Sequence, residues 1–262
     1  MSDVKATRTG GEGKGNTAGR IRSLSLVGGR DVYRDPVLLG LLLVIPAYFV
    51  GVWGTIVPDD DLSIDIATAD GTETVTVTFP ELMTALIAPV TGALLIGVTG
   101  LFLVQRSRDV DRRLTVTGFR LSELLAARFA ILTGITAFVV AVVTAVAHLH
   151  LDPEHLGWFV LGLALAAGIY GAVGTVVGLL VGRMAGVYIL LFVPMIDVVL
   201  LQSPMADTDD WVTWLPGHHA TELVLSAAFA GDVATGHALF GVLALGVAGT
   251  LATLVNVARR LK

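Results

Sequence analysis

The chain has 262 residues, 54% of them hydrophobic, with a mean hydropathy of +0.79 and a formal net charge of −5. That apolar content exceeds what a soluble domain of this length can hide in a core, and the acidic balance argues against a nucleic-acid partner. Zero cysteines exclude disulfides, thiolate metal sites and a cysteine nucleophile.

Residues 1–19, rich in Gly, Thr and charge, read as a disordered tail. Within it, Gly10 to Thr17 has the glycines of a phosphate-binding loop, but Gly15 follows Lys14 where Ser or Thr is required. The first 35 residues hold no apolar run suited to a secretory leader. Residues 20–36 intersperse Ile21, Leu24, Val27 and Val32 with four Arg, which suits an amphipathic helix on the inner membrane surface.

Six continuously apolar stretches follow: 37–57, 82–104, 129–149, 157–181, 186–202 and 238–258. Each is close to the roughly 20 helical residues that cross about 30 Å of hydrocarbon, and none alternates as a barrel strand would. Between the first two, Leu62–Ala67 and Thr72–Phe79 flank Ala69-Asp70-Gly71, which predicts a β-hairpin over part of the loop 58–81. Such a hairpin is marginal alone and needs another loop or a partner to pack on. The loop 105–128 is basic, and its centre reads as a short amphipathic helix, a turn, and a second helix capped by Ser122 that runs into the third span. Gly174, Gly178, Gly182 and Gly186 recur every four residues around the end of the fourth span, a spacing that lets another helix approach closely. Pro46, Pro89 and Pro194 are expected to kink their helices. Before the last span, residues 211–232 carry Trp211, Trp214 and an amphipathic run from His218 to Ala230, which predicts a re-entrant or surface helix. Residues 259–262 form a short basic tail.

The basic residues orient these spans. Lys and Arg lie before residue 36, between Arg106 and Arg128, at Arg183, and at Arg259, Arg260 and Lys262, whereas 58–81, 148–155 and 203–237 have none. Cytoplasmic loops are the ones enriched in Lys and Arg. The expected fold is therefore an all-α polytopic membrane protein with six transmembrane helices and both termini cytoplasmic. Fourteen of the 22 acids fall in the three outer loops, and this acidic exterior, with only three Lys, suggests adaptation to high salt.

Candidate chemistry is sparse. Asp197 is the one acid within a span, where burying a charge is costly, so it lines a substrate path or fixes packing. His148, His150 and His155 surround Asp152 and Glu154; they read as an interfacial or solvated cluster rather than a metal site, as do His218 and His219. No nucleophile elbow, zinc-protease motif or pair of intramembrane acids is present, so no catalytic or cofactor-binding residue is assigned.

In order and spacing these parts resemble the membrane subunit of type 2 ABC exporters over residues 20–262. The matching pieces are Arg34-Asp35-Pro36 at the first span, the loop 105–128 ending in Ser122-Glu123-Leu124-Leu125-Ala126-Ala127-Arg128, and Leu215-Pro216 followed by Thr221-Glu222-Leu223. One departure is Thr117-Gly118-Phe119-Arg120, where family loops commonly have a Pro. The resemblance implies a plasma-membrane permease with no ATPase of its own and no bound cofactor. A separate ATP-binding subunit, holding ATP-Mg, would dock on Arg112, Arg113, Thr117, Gly118, Phe119, Arg120, Ser122 and Glu123. A second permease copy or paralogue would complete a pathway along spans two and five. The alternatives are a self-sufficient secondary transporter or channel, and a non-transporting membrane scaffold.

Overall fold

The computed structural model describes residues 36–56, 58–69, 71–116, 121–205 and 210–260. The expected tail over 1–19 and the interfacial helix over 20–36 therefore lie outside the described residues, apart from Pro36. Helix α1 spans Pro36–Ile56.

A short loop leads to strands β1, Asp61–Thr68, and β2, Gly71–Thr78, paired antiparallel with Ile64 opposite Val75 and Leu62 opposite Val77. Gly71 has φ +143°, a backbone state that glycine adopts without strain. Period-two alternation gives the ribbon two unlike faces. Ile64, Ile66 and Val77 are buried, while on the other face the Thr74 hydroxyl donates to Asp65 Oδ1 at 2.6 Å. No linker follows β2. Thr78 immediately precedes helix α2, Phe79–Val116, and Glu81 reaches back to accept from the Thr78 backbone N–H (2.9 Å) and hydroxyl (2.8 Å), the acidic half of a capping box.

Helix α2 is the axis of the molecule. From Phe79 to Gln105 no residue is exposed, because α1, α3, α4 and α5 all pack on it. Helix α3 spans Leu121–Ala147 and α4 spans Leu156–Leu180. Helix α5, Arg183–Pro194, continues directly into a π-helical segment, Met195–Leu201. A 3₁₀ turn, Asp210–Trp214, precedes α6, His218–Phe229, and α7 runs over Gly236–Arg260. Five helices are long and apolar enough to cross a membrane: Phe79–Arg106, Leu125–Ala147, Leu156–Leu180, Arg183–Leu201 and Gly236–Arg259. The apolar stretch Leu42–Val52 within α1 is shorter.

Three expectations change on the structure. The first helical piece of 105–128 is not a separate element but the end of α2, whereas the second runs into the third span as expected, with Ser122 inside α3 rather than ahead of it; residues 117–120 lie outside the described residues. The glycine stripe is divided between two helices and their junction. A Cβ on Gly174 would lie inside the Gly97 carbonyl oxygen, and one on Gly178 would come within 2.8 Å of the Leu101 oxygen, so α2 and α4 meet backbone to backbone. Gly186 sits on α5 against Leu101, while Gly182 lies in the α4–α5 junction with nothing within 4 Å of its Cβ direction and takes no part in packing. The α2 partners Gly97 and Gly100 complete the contact; a Cβ on Gly100 would overlap the Gly171 carbonyl.

The third change concerns α6. Of the re-entrant and surface readings, burial is against the surface one: Ala220, Thr221 and Leu223 through Ala228 are buried, enclosed by α2, α4, α7 and β1. The hairpin's apolar face rests on it. The loop after α3 joins them, with Glu154 N–H donating to Ala228 O at 3.3 Å and His155 N–H to Ala227 O at 2.9 Å. The three segments without Lys or Arg thus gather at one end of the bundle.

Candidate functional site

Pro194 has no N–H to give the helix, and the chain beyond it winds as a π-helix, in which Gln202 N–H bonds Asp197 O (3.0 Å), five residues back. This wider turn places the Gln202 side chain beside Asp197, and Gln202 Nε2 donates to Asp197 Oδ1 at 3.2 Å. The other carboxyl oxygen accepts from the Tyr170 hydroxyl of α4 and from the Gly217 backbone N–H (2.9 Å) just ahead of α6. A Cβ on Gly217 would fall 2.6 Å from Asp197 Oδ2, so only glycine allows that approach. Asp197 is 3% exposed, and a buried carboxyl needs such partners. One side chain therefore ties α4, the π segment and the start of α6 together.

The network continues outward. Gln202 Nε2 also donates to Val212 O at 3.3 Å, which orients the amide so that Oε1 faces His218 Nδ1 at 2.7 Å. Beyond it, His219 and His237 approach with Nδ1 to Nδ1 at 3.1 Å. Burial, then the neighbouring His219 and His237, pushes the His218 imidazole down to about 4, and burial lowers His219 as well. Burial also raises Glu222, on the same helix, to about 7.

The predicted trio His148, His150 and His155 does not converge. His148 Nε2 faces Asp152 Oδ1 at 3.7 Å, and the His155 ring donates from Nε2 to Gly231 O at 3.1 Å. Among the described residues, the group able to hold a metal is instead His218, His219 and His237.

At the other end of the bundle, Gln105 Nε2 reaches Gly178 O and Val181 O, both at 3.4 Å, and the Arg183 guanidinium lies 4.5 Å from the centre of the Phe102 ring. These contacts fasten α2 to the α4–α5 junction. A cleft beside them is lined by Gly100, Arg128, Phe129, Thr175, Thr253 and Asn256 among others. Of the predicted docking residues, Arg112 and Arg113 belong to α2, and Ser122 and Glu123 to α3. Their side chains, and Thr117, Gly118, Phe119 and Arg120 altogether, lie outside the described residues.

Tyr170, Gln202 and His237 were not legible as site residues. Tyr170 sits within an apolar run, Gln202 at the end of one and His237 just ahead of one; only the π turn and the helix crossing bring them to Asp197 and His218. Neither a scan against protein-family models nor a search of curated proteins gives a match.

Proposed function

We propose that this chain is the transmembrane permease subunit of an ATP-driven exporter of the type 2 ABC class, working with a separate ATP-binding subunit and a second permease copy or paralogue. The observation that carries the reading is the α2–α3 helical pair. Helix α2 has 38 residues, about 57 Å at 1.5 Å per residue. Its apolar window ends at Arg106, so roughly 15 Å of helix runs on past it as far as Val116. That projection carries Arg108, Arg112 and Arg113 and meets α3 across residues 117–120. In this reading it is the docking arm, α1 supplies a sixth crossing, and both termini are cytoplasmic in the plasma membrane.

The mechanism follows from what α2 touches. A push on the arm moves a helix packed against α1, α3, α4 and α5 and fastened to the α4–α5 junction through Gln105 and Phe102. ATP-driven closure of the partners would thereby tilt a bundle rather than one helix. Because α2 has no exposed residue between Phe79 and Gln105, a second copy would pack on span five, where Tyr188 and Phe192 of α5 and Ile196 of the π segment are exposed. A secondary transporter would use Asp197 as a coupling-ion ligand, but both oxygens of that carboxyl are occupied by Tyr170, Gln202 and Gly217.

Co-expression with a candidate ATP-binding subunit taken from the neighbouring reading frames, followed by an ATPase assay, tests the proposal; neighbours that encode no such protein would count against it. Phe119→Asp and Arg120→Asp are each expected to abolish stimulation of ATPase activity while membrane insertion is retained. Unchanged stimulation in both would remove the docking site.

A further inference from the structure

At the corner where α6 and α7 begin, three imidazoles meet that the transport reading does not use. His218, His219 and His237 each offer a ring nitrogen, and these nitrogens all lie within 4.8 Å of one another. The His219 and His237 Nδ1 atoms are 3.1 Å apart. Two imidazole nitrogens bound to one tetrahedral zinc ion at about 2.0–2.1 Å stand roughly 3.3 Å apart, so this pair already has nearly the spacing of two ligands. His218 is set by its neighbours. With Gln202 Nε2 given to Asp197 and Val212, the Gln202 carbonyl oxygen must accept from His218 Nδ1–H. That places the proton on Nδ1 and leaves the Nε2 lone pair, the arrangement by which an outer hydrogen bond orients a metal-binding imidazole.

The surroundings suit a ligand set of neutral nitrogens. All three residues are half-buried, and the His219 ring stacks on Phe240 with centroids 5.0 Å apart. No carboxylate belongs to the group, which disfavours hard ions that demand oxygen ligands.

We propose that His218, His219 and His237 form a binding site for a first-row transition metal ion of the zinc type, with three imidazole nitrogens as ligands and a fourth position open. The ion would fix α6 to α7 and, through Gln202, to the Asp197 network. Without it, His219 and His237 are held by an N–H···N hydrogen bond between their rings.

The full chain, purified in detergent without a histidine tag and stripped with a chelator, is titrated with zinc by calorimetry and with cobalt by visible absorption. The expected result is one ion per chain and the absorption bands of tetrahedral cobalt. His219→Ala and His237→Ala should each weaken zinc binding at least about tenfold. His237→Gln, which keeps a polar side chain at the corner, replaces the alanine variant if that one does not purify as a folded protein. A variant with His148, His150 and His155 all replaced by Ala, which removes the remaining histidines of the chain's six, should bind as the wild type does. The site is overturned if the wild type takes up no stoichiometric zinc, if uptake survives loss of His219 and His237, or if it disappears with the other three. None of these outcomes depends on an ATP-binding partner.

Discussion

Gly174→Ala is expected to destabilise the bundle by about 3 kcal/mol or more, at the upper end of what overpacking costs, whereas Gly182→Ala leaves it unchanged. Both glycines belong to the same four-residue repeat, so the sequence alone assigns them one role. The structure separates them: an added methyl at 174 meets the Gly97 carbonyl, backbone that cannot rotate away, and one at 182 meets open space. Relief at 174 requires α2 and α4 to part along a crossing that also uses Gly100, Gly171 and Gly178. Since apolar side chains gain little by leaving lipid for one another, close backbone packing supplies much of the attraction between such helices. Thermal unfolding of the two variants in one detergent checks the contrast, and equal melting temperatures would contradict it.

Asp197→Ala is expected to cost roughly 3 kcal/mol or more, because it strands the Tyr170 hydroxyl, the Gly217 N–H and one Gln202 N–H in a buried place, at about 1–3 kcal/mol for each unsatisfied group before relaxation. Asp197→Asn should lie between alanine and wild type. An asparagine oxygen can serve Tyr170 and Gly217, but its NH2 then faces the Gln202 NH2. Flipping Gln202 to cure that clash turns its amide donor toward His218 and withdraws the donor from Val212 O. Thermal melts of both variants would show the order wild type, Asn, Ala. A carboxyl serving only as a transport group would instead leave stability unchanged in both and abolish activity.

Much of the helical content was legible because apolar runs near 20 residues have few alternatives to a helix in lipid. The spans read at 82–104, 129–149, 157–181, 186–202 and 238–258 each fall on an apolar helix of membrane length. The hairpin was legible too, since Ala69-Asp70-Gly71 supplies a turn and Ile64, Ile66 and Val77 share one face. What it packs on was not: α6 provides the surface, and a sequence with Glu222 and two His in that helix reads as amphipathic although nearly the whole helix is enclosed. The Asp197 network was hidden for a different reason. In α-helical register Gln202 would not stand beside Asp197, and the π turn after Pro194 cannot be read from hydrophobic periodicity. His237 illustrates the same limit, because its partnership with His219 depends on how α7 crosses α6, a tertiary fact with no local signal.

The claim on which the transport reading depends is that 105–128 faces the cytosol and 58–81 the exterior. With no native cysteine, single substitutions report cleanly, and a membrane-impermeant maleimide applied to intact cells reads them out. The account predicts that Asp70→Cys is labelled without permeabilisation and Thr115→Cys only after it. Labelling of Thr115→Cys in intact cells, or protection of Asp70→Cys until the membrane is opened, would contradict it.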